Sequence, residues 1–295
     1  MKYLITGGTG LVGSKLIQTL LADGHEIHNL SRSRQNAANS LLHHHQWDGR
    51  SIPASVPEVE AVINLAGATI GKRWTKAYKV QVYNSRIHAT QACLNYIQTA
   101  SQPPKVFISA SGYNYYGNEF SQKMDETAPS GSGFMPELCK DWEAAAQGST
   151  ARTVTLRTAV VLDGKAGPLA KMVTPYRFFI GGPTGTGKQG FPWIHLEDMV
   201  RAIRFILDTQ AISGPVNMVV PQHGTMQNLA NAIGKALSRP SFFRLPKGIL
   251  NLIFGEMAVL LWGGGFVKPA VLEKHSFSWK FPELDQALAN LLSKK

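Results

Sequence analysis

The sequence predicts an α/β fold: a Rossmann-type doubly wound parallel sheet with a smaller α/β C-terminal substrate-side domain. Three observations predict it. Short apolar runs alternate with helical periodicities through the first 160 residues. A glycine-rich turn joins the first run to the first helix. The pattern then loosens after Leu162 without any flexible linker.

Tyr3–Thr6 is a short apolar strand. Leu11–Ala22 places Leu11, Val12, Leu16, Ile17, Leu20 and Leu21 at helical spacing and stops at Asp23-Gly24. Ile27–Leu30 reads as the second strand, and the polar stretch 33–46 as a loop. Ala61–Leu65 is a third apolar run, followed by a helix over about 76–100 and a strand at Val106–Ser109. Residues 112–135, rich in Gly, Ser, Asn and Tyr, are too long for a plain connector and point to a functional loop. Pro136–Ala146 reads as a helix with Pro at its first position, and Val154–Leu156 as a strand.

Beyond Leu162 the spacing predicts helices near 168–178, 197–208 and 226–237. It predicts strands at Trp193-Ile194-His195 and 215–220, and a last helix over about 283–293. The long apolar stretch 248–267 holds Glu256 and five glycines. A carboxylate at mid-bilayer costs roughly 2.5–3.5 kcal/mol, so the stretch reads as a buried helix plus a glycine turn. The expected division is 1–162 for the dinucleotide-binding domain, its sheet completed by later segments, and 163–295 for the substrate side.

The chain has 295 residues with 44% apolar and 17% charged side chains, which excludes a disordered chain. Its 30 basic and 19 acidic residues leave a formal charge of +11. Residues 1–150 carry 13 basic and 11 acidic residues, and 151–295 carry 17 and 8, so the surplus sits in the second half. Cys93 and Cys139 cannot build a disulfide framework, so a reducing, cytoplasmic setting is expected. Lys2-Tyr3-Leu4-Ile5 already reads as a strand, so no signal peptide is expected before the fold.

Thr6-Gly7-Gly8-Thr9-Gly10-Leu11-Val12-Gly13 satisfies both Gly-x-x-Gly-x-x-Gly and Gly-x-Gly-x-x-Gly. It follows a strand and opens a helix, the context in which glycines admit a pyrophosphate to free N–H groups. NAD sites place an acid at the end of the second strand. Here Leu30-Ser31-Arg32-Ser33-Arg34 has none. Arg32 suits a 2′-phosphate, with Ser31 and Ser33 as further donors, so NADP(H) is expected over NAD(H). A solvated basic turn is the plainer reading of the same residues.

The glycine motif, Asn64-Leu65-Ala66-Gly67-Ala68 and Ser109-Ala110-Ser111 resemble the extended short-chain dehydrogenase/reductase superfamily. Tyr115-Tyr116-Gly117, Trp142-Glu143, Leu156-Arg157, Gly181-Gly182, Phe191–Asp198, Gly255-Glu256 and Phe281-Pro282-Glu283-Leu284 narrow the match. Together they resemble its atypical epimerase family, that of nucleoside-diphosphate-sugar epimerases with an extra C-terminal domain, through essentially the whole chain. The resemblance implies NADP across the C-terminal edge of the sheet. Gly7, Thr9, Gly10, Leu11, Val12 and Gly13 would form the turn. Ser31 and Arg32 would hold the adenosine phosphate, and Leu65, Ala66 and Gly67 would line the cofactor. Arg86 would lie near it and Val161 near the nicotinamide. As sequence alone, Leu65 and Val161 also read as core, and Arg86 as a solvated helix face.

The superfamily's proton-transfer pair is a tyrosine four residues before a lysine, and no lysine of this chain has one. Alignment on Glu143 puts Met135 at the tyrosine position and Cys139 at the lysine position. Ser111 matches the superfamily's hydroxyl position and is expected to bond a substrate oxygen; a strand-end cap is its bland reading. Among Tyr113, Tyr115 and Tyr116, Tyr115 is the candidate replacement phenol, against simple aromatic packing. Trp193–Asp198 would form a wall of the substrate region. His43-His44-His45 alternates sides on an extended chain, so no metal is expected there.

Lys165, Lys171, Arg177 and Lys188 stand in 164–196 without an acid and suggest an anionic small molecule, or merely a basic surface. The expected function is an NADP(H)-dependent oxidoreductase or epimerase on a small carbonyl or sugar-like substrate, that substrate being its partner. The alternative is a non-catalytic NADP(H)-binding sensor or interaction protein, motivated by the missing dyad. No nucleic-acid module is recognised despite the basic charge, and neither nucleic acid nor membrane is an expected partner.

Overall fold

The computed structural model describes residues 1–33 and 39–293. In chain order the elements are β1 (Lys2–Thr6), α1 (Leu11–Ala22), β2 (Glu26–Ser31), β3 (Leu42–Gln46), β4 (Ala61–Asn64), α2 (Lys76–Thr99) and β5 (Val106–Gly112). A 3-10 turn (Tyr113–Tyr116) precedes β6 (Glu119–Met124), α3 (Phe134–Ala145), β7 (Arg152–Thr158), β8 (Val160–Leu162) and α4 (Gly167–Arg177). Then come β9 (Trp193–His195), α5 (Leu196–Asp208), β10 (Gly214–Met218), α6 (Met226–Leu237) and α7 (Lys247–Phe254). A 3-10 turn (Gly255–Ala258) leads to α8 (Val259–Trp262), β11 (Gly264–Val267), α9 (Ala270–Lys274) and α10 (Leu284–Leu292).

Seven strands form one parallel sheet in the order β3-β2-β1-β4-β5-β7-β10. The chain builds outward from β1 to β3, then crosses to β4 on the other side of β1. That reversal opens a crevice at the carboxyl ends of β1 and β4, where this class of sheet takes its ligand. β1 and β4 are apolar on both faces because helices cover both. Ile5, Ile63 and Ile108 pack with Leu16 and Leu20 of α1 and Ile203 of α5. Leu4, Val62 and Phe107 pack against Ala89, Cys93 and Ile97 of α2. β10 comes from far beyond Leu162, so the later chain completes the sheet. A further core joins Leu169, Val173, Leu229, Ile233 and Leu288 from α4, α6 and α10. Two parallel ribbons, β8 with β9 and β6 with β11, lie beside the main sheet.

Four local expectations change. The stretch 33–46 is not all loop, because Leu42–Gln46 forms edge strand β3. Its histidines bond to neighbouring side chains instead of burying hydrocarbon, so no apolar alternation announces the strand. Residues 34–38, with Arg34, lie outside the described residues. Helix α3 begins at Phe134, which puts Pro136 third, still within the turn whose N–H groups lack helical partners. Helix α7 is not buried: Ile249, Leu252 and Ile253 are exposed, and only Leu250 is buried. An apolar run does not reveal whether a partner face exists to cover it. Finally, Trp193–Asp198 braces the chain end. His195 stacks on Phe281 at 4.0 Å, and buried Asp198 accepts the N–H groups of Lys280 and Phe281 at 2.8 Å each. No helix among the described residues is long and apolar enough to cross a membrane.

Buried His223 ties the 219–224 segment to β11, its Nε2 lying 2.9 Å from the Val267 nitrogen. Burial pushes its pKa down from 6.5 to about 4. The folded chain keeps the ring neutral while the unfolded chain takes up a proton below about pH 6.5. Stability contributed by this site is therefore whole above pH 6.5 and falls as pH drops towards 4, by about 3 kcal/mol in all. Burial also lowers His28, His44, His45 and His195, which adds to the slope. Urea titrations should show a midpoint falling steadily from pH 7 to 4.5. His223→Gln should flatten that fall, and an unchanged slope would remove His223 from it.

Candidate cofactor and substrate site

The crevice floor is bare backbone. Gly7 holds φ +71°, and its carbonyl accepts the Gly10 N–H at 2.9 Å. A Cβ on Gly7 would lie 2.5 Å from the Leu65 carbonyl oxygen, and one on Gly13 would lie 2.3 Å from that of Gly7. Gly10 caps α1 with no side-chain bond, so the first N–H groups of the helix and the positive end of its dipole face the crevice. Thr9 and Gly10 are exposed, Leu11 and Val12 half-buried, and Gly13 buried.

A hydrogen-bond relay fixes the opposite lip. Thr6 Oγ1 donates to Asn64 Oδ1 at 2.6 Å, and Asn64 Nδ2 donates to Thr90 Oγ1 at 2.9 Å. Trp142 Nε1 donates to the same hydroxyl at 2.9 Å. The Ala66 N–H meets Thr6 Oγ1 at 3.2 Å, and the Ala68 N–H meets Ser85 Oγ at 2.9 Å. Leu65 and Ala66 are half-buried and Gly67 is exposed. Arg86 is buried, packs on the Trp142 ring at 5.0 Å, and donates to the carbonyls of Ala68 and Val82 at 3.1 and 3.0 Å. Burial pulls its pKa down to about 10, which leaves it charged at neutral pH. Its guanidinium lies under Gly67, within 3.1–3.3 Å of where a Cβ would stand. Arg86 thus shapes the lip from beneath. Thr90 and Ser85, which carry this relay, have no motif that marks them in the sequence.

Ser31 is buried at the end of β2, and Arg32 is exposed beside it. Val161 is buried in the main core. The glycine floor, the free helix N-terminus and exposed Arg32 at one rim fit a phosphorylated dinucleotide.

The expected catalytic residues occupy a different arrangement. Ser111 is buried and donates to Glu143 Oε1 at 2.7 Å. Arg157 Nε and Nη2 grip the two Glu143 oxygens at 2.9 Å each, and Arg157 Nη1 donates to the Tyr116 hydroxyl at 3.0 Å. The Arg157 guanidinium lies 3.5 Å from the centre of the Tyr115 ring. Burial pushes the phenols of Tyr113 and Tyr116 up to about 12. The thiol of Cys139 is buried against Gly112 and pushed to about 12 as well. Ser111 and Tyr115 therefore share one network around a buried ion pair.

Beside α3 opens a cleft of about 430 Å³, lined by Trp74, Phe134, Met135, Trp262, Asn118 and Glu256 among others. Met135 is the residue expected, from its spacing to Glu143, at the superfamily's tyrosine position. Neither Ser111 nor Tyr115 lines the cleft, and no lysine or arginine does among the described residues. Lys165, Lys171, Arg177 and Lys188 are all exposed elsewhere. Glu256 pairs with Lys79 at 2.7 Å.

Epimerase family protein SDR39U1 of Bos taurus is 36% identical over 301 residues, covering 99% of this chain and 100% of the relative. The chain belongs to the epimerase family. Its residues 3–136 match the NAD dependent epimerase/dehydratase family, and 245–291 match a domain of unknown function, DUF1731. Among solved structures, human epimerase family protein SDR39U1 (isoform2) with NADPH is 34% identical. It superposes with a TM-score of 0.90 over 99% of both chains. A nucleoside-diphosphate sugar epimerase from Corynebacterium glutamicum is 28% identical with a TM-score of 0.79, covering 99% of this chain and 58% of that one. In this epimerase-family chain the DUF1731 region supplies Asn251, Gly255, Glu256, Val259 and Trp262 to the cleft, opposite Trp74 and Met135 from the dinucleotide-binding region.

Proposed function

We propose that this protein is an NADP(H)-dependent oxidoreductase or epimerase-type enzyme that takes a small carbonyl or sugar-like compound in the aromatic cleft. The observation that carries the reading is the aromatic cleft at Met135 of α3, in a chain with a bare glycine cradle. Its cofactor is NADP(H), supported by the cradle, by Arg32 in place of an acid, and by the NADPH held in the human relative. When bound, NADP(H) supplies or accepts a hydride at the substrate carbon. Trp74, Phe134 and Trp262 offer flat apolar walls, while Asn118 and Asn251 offer amides to hydroxyl or carbonyl oxygens.

Hydride transfer at a carbonyl carbon is coupled to a proton moving to or from its oxygen, in both directions. Met135 is no base, and the Cys139 thiol stays protonated at neutral pH. Water is therefore the group that gives or takes that proton in either direction. The uncharged character of most of the lining favours a neutral face of the substrate over an anion. The two buried, unpaired cysteines suit a reducing, cytoplasmic setting.

A second reading, a non-catalytic NADP(H)-binding sensor, rests on the same Met135 and Cys139. A panel of aldehydes, quinones, keto-sugars and sugar nucleotides, followed by NADPH absorbance, separates the two. Sustained oxidation with one member supports the reductase. Tight NADPH binding with neither NADPH oxidation nor an epimerised product across the panel sinks both enzyme versions in favour of the sensor.

Arg32→Ala should weaken NADPH about tenfold or more, the worth of a charged hydrogen bond of about 1.5–3 kcal/mol, and leave NADH nearly unchanged. Fluorescence titration of both cofactors checks this. Equal losses for the two would take Arg32 off the 2′-phosphate.

A further inference from the structure

The edge of the sheet away from the cleft carries a second cluster of chemistry. In the parallel pairing of β2 with β3, His28 lies opposite His43. Glu26 stands two residues before His28, so all three side chains leave the same face of the sheet. His28 Nε2 is 3.1 Å and His43 Nε2 is 3.6 Å from Glu26 Oε1, and the three donor atoms lie within 4.8 Å of one another. Donors about 2.0–2.2 Å from a shared tetrahedral ion stand roughly 3.2–3.6 Å apart, close to these spacings.

We propose that Glu26, His28 and His43 form a binding site for one divalent transition-metal ion, of which zinc is the best fit. Two imidazoles and a carboxylate are a borderline donor set, which suits zinc, nickel or copper better than magnesium or calcium. A bound water completes the fourth position.

The surroundings suit such a site. His28 Nδ1 lies 3.0 Å from His45 Nε2, and His45 Nδ1 lies 3.1 Å from Ser55 Oγ. With the ion on Nε2, His28 donates its Nδ1–H to His45, which donates onward to Ser55. That outer chain fixes the ring tautomer and orientation of the ligand. Without the ion, the same chain runs the other way and ends on Glu26. His43 stacks on His28 with ring centres 4.8 Å apart and planes 16° apart. Its side chain is 45% exposed, so only solvent has to give way for the ring to turn its lone pair to the ion. Lys2 Nζ sits 3.5 Å from the other Glu26 oxygen, leaving Oε1 for the metal. His44 is not a ligand, because it points to the opposite face and meets Asn29 at 3.1 Å.

Glu26 begins β2 and Ser31 ends it, so about five residues, roughly 16 Å, separate the ion from the cofactor edge. The ion does not take part in hydride transfer. It cross-links edge strand β3 to β2, a strand otherwise held on one side only.

The test uses the untagged full chain, stripped with a chelator and titrated with zinc by calorimetry. Wild type should bind one equivalent and gain melting temperature. Exposed His43→Ala, which leaves the core intact, and Glu26→Gln should each lose at least tenfold in zinc affinity. His44→Ala should bind as wild type does. No binding by wild type at roughly 100 µM zinc, between millimolar and micromolar affinity, would overturn the proposal. So would equal losses in the His43 and His44 variants, or full binding by His43→Ala.

Discussion

Arg157→Ala is expected to lower folding stability by about 3–5 kcal/mol, the cost of leaving its buried partner carboxylate uncompensated. Arg157 is 3% exposed and Glu143 has its side chain 12% exposed. Removal of the guanidinium leaves a buried carboxylate with Ser111 as its remaining donor. The damage spreads because Arg157 also holds Tyr116, whose hydroxyl donates to Asn217 Oδ1 at 2.7 Å. Asn217 donates onward to the Lys268 carbonyl and to Glu126, and Glu126 accepts the N–H groups of Ala270 and Val271. One arginine thus links β5, β7, β10 and α3 to the segment that follows β11. Urea unfolding of wild type and variant measures the loss, and a value under 1 kcal/mol would show that the network adds nothing to stability. Arg157→Met with Glu143→Leu should recover much of it, since two apolar side chains leave no orphaned charge.

This network also shows what the sequence could and could not reveal. Leu156-Arg157 and Trp142-Glu143 were visible as motifs, but nothing in their spacing says that Glu143 meets Ser111. Ser111 was legible as a hydroxyl at the end of β5. Its partner was not, because the contact crosses 32 residues and depends on the rotation of α3. Similarly, the glycine turn and the helix at 11–22 follow local signals and could be read directly. β3 could not. A parallel edge strand is defined by its neighbour, and Leu42–Gln46 buries little hydrocarbon of its own. The same blindness hid the set formed by Glu26, His28 and His43. Read along the chain, three successive histidines splay to alternate sides. Read across the register of β2 and β3, one of them meets two donors from another strand. The exposed face of α7 is the reverse case: composition suggested burial, and only the tertiary arrangement shows that most of it stays in water.

Gly13→Ala should cost NADPH affinity about 100-fold, or about 2.7 kcal/mol. A Cβ there would stand 2.3 Å from the Gly7 carbonyl oxygen and 2.8 Å from the Gly8 Cα. Both atoms are backbone, so no side chain can rotate away. The only relief is to move the turn. That turn is pinned by the Gly10 N–H on the Gly7 carbonyl and crowded by Leu65 behind Gly7. Any shift displaces the N–H groups at the start of α1, and phosphate binding depends on where those groups point. Gly24 supplies the control. It also holds a positive φ, +78°, but a Cβ there meets nothing within 4 Å. Gly24→Ala should cost about 1 kcal/mol of stability through its left-handed backbone and leave NADPH affinity alone. Paired titrations and melting curves for the two variants separate crowding of the cofactor turn from loss of a flexible residue. Equal NADPH affinity in Gly13→Ala and wild type would mean that the β1–α1 turn is not where the pyrophosphate lies.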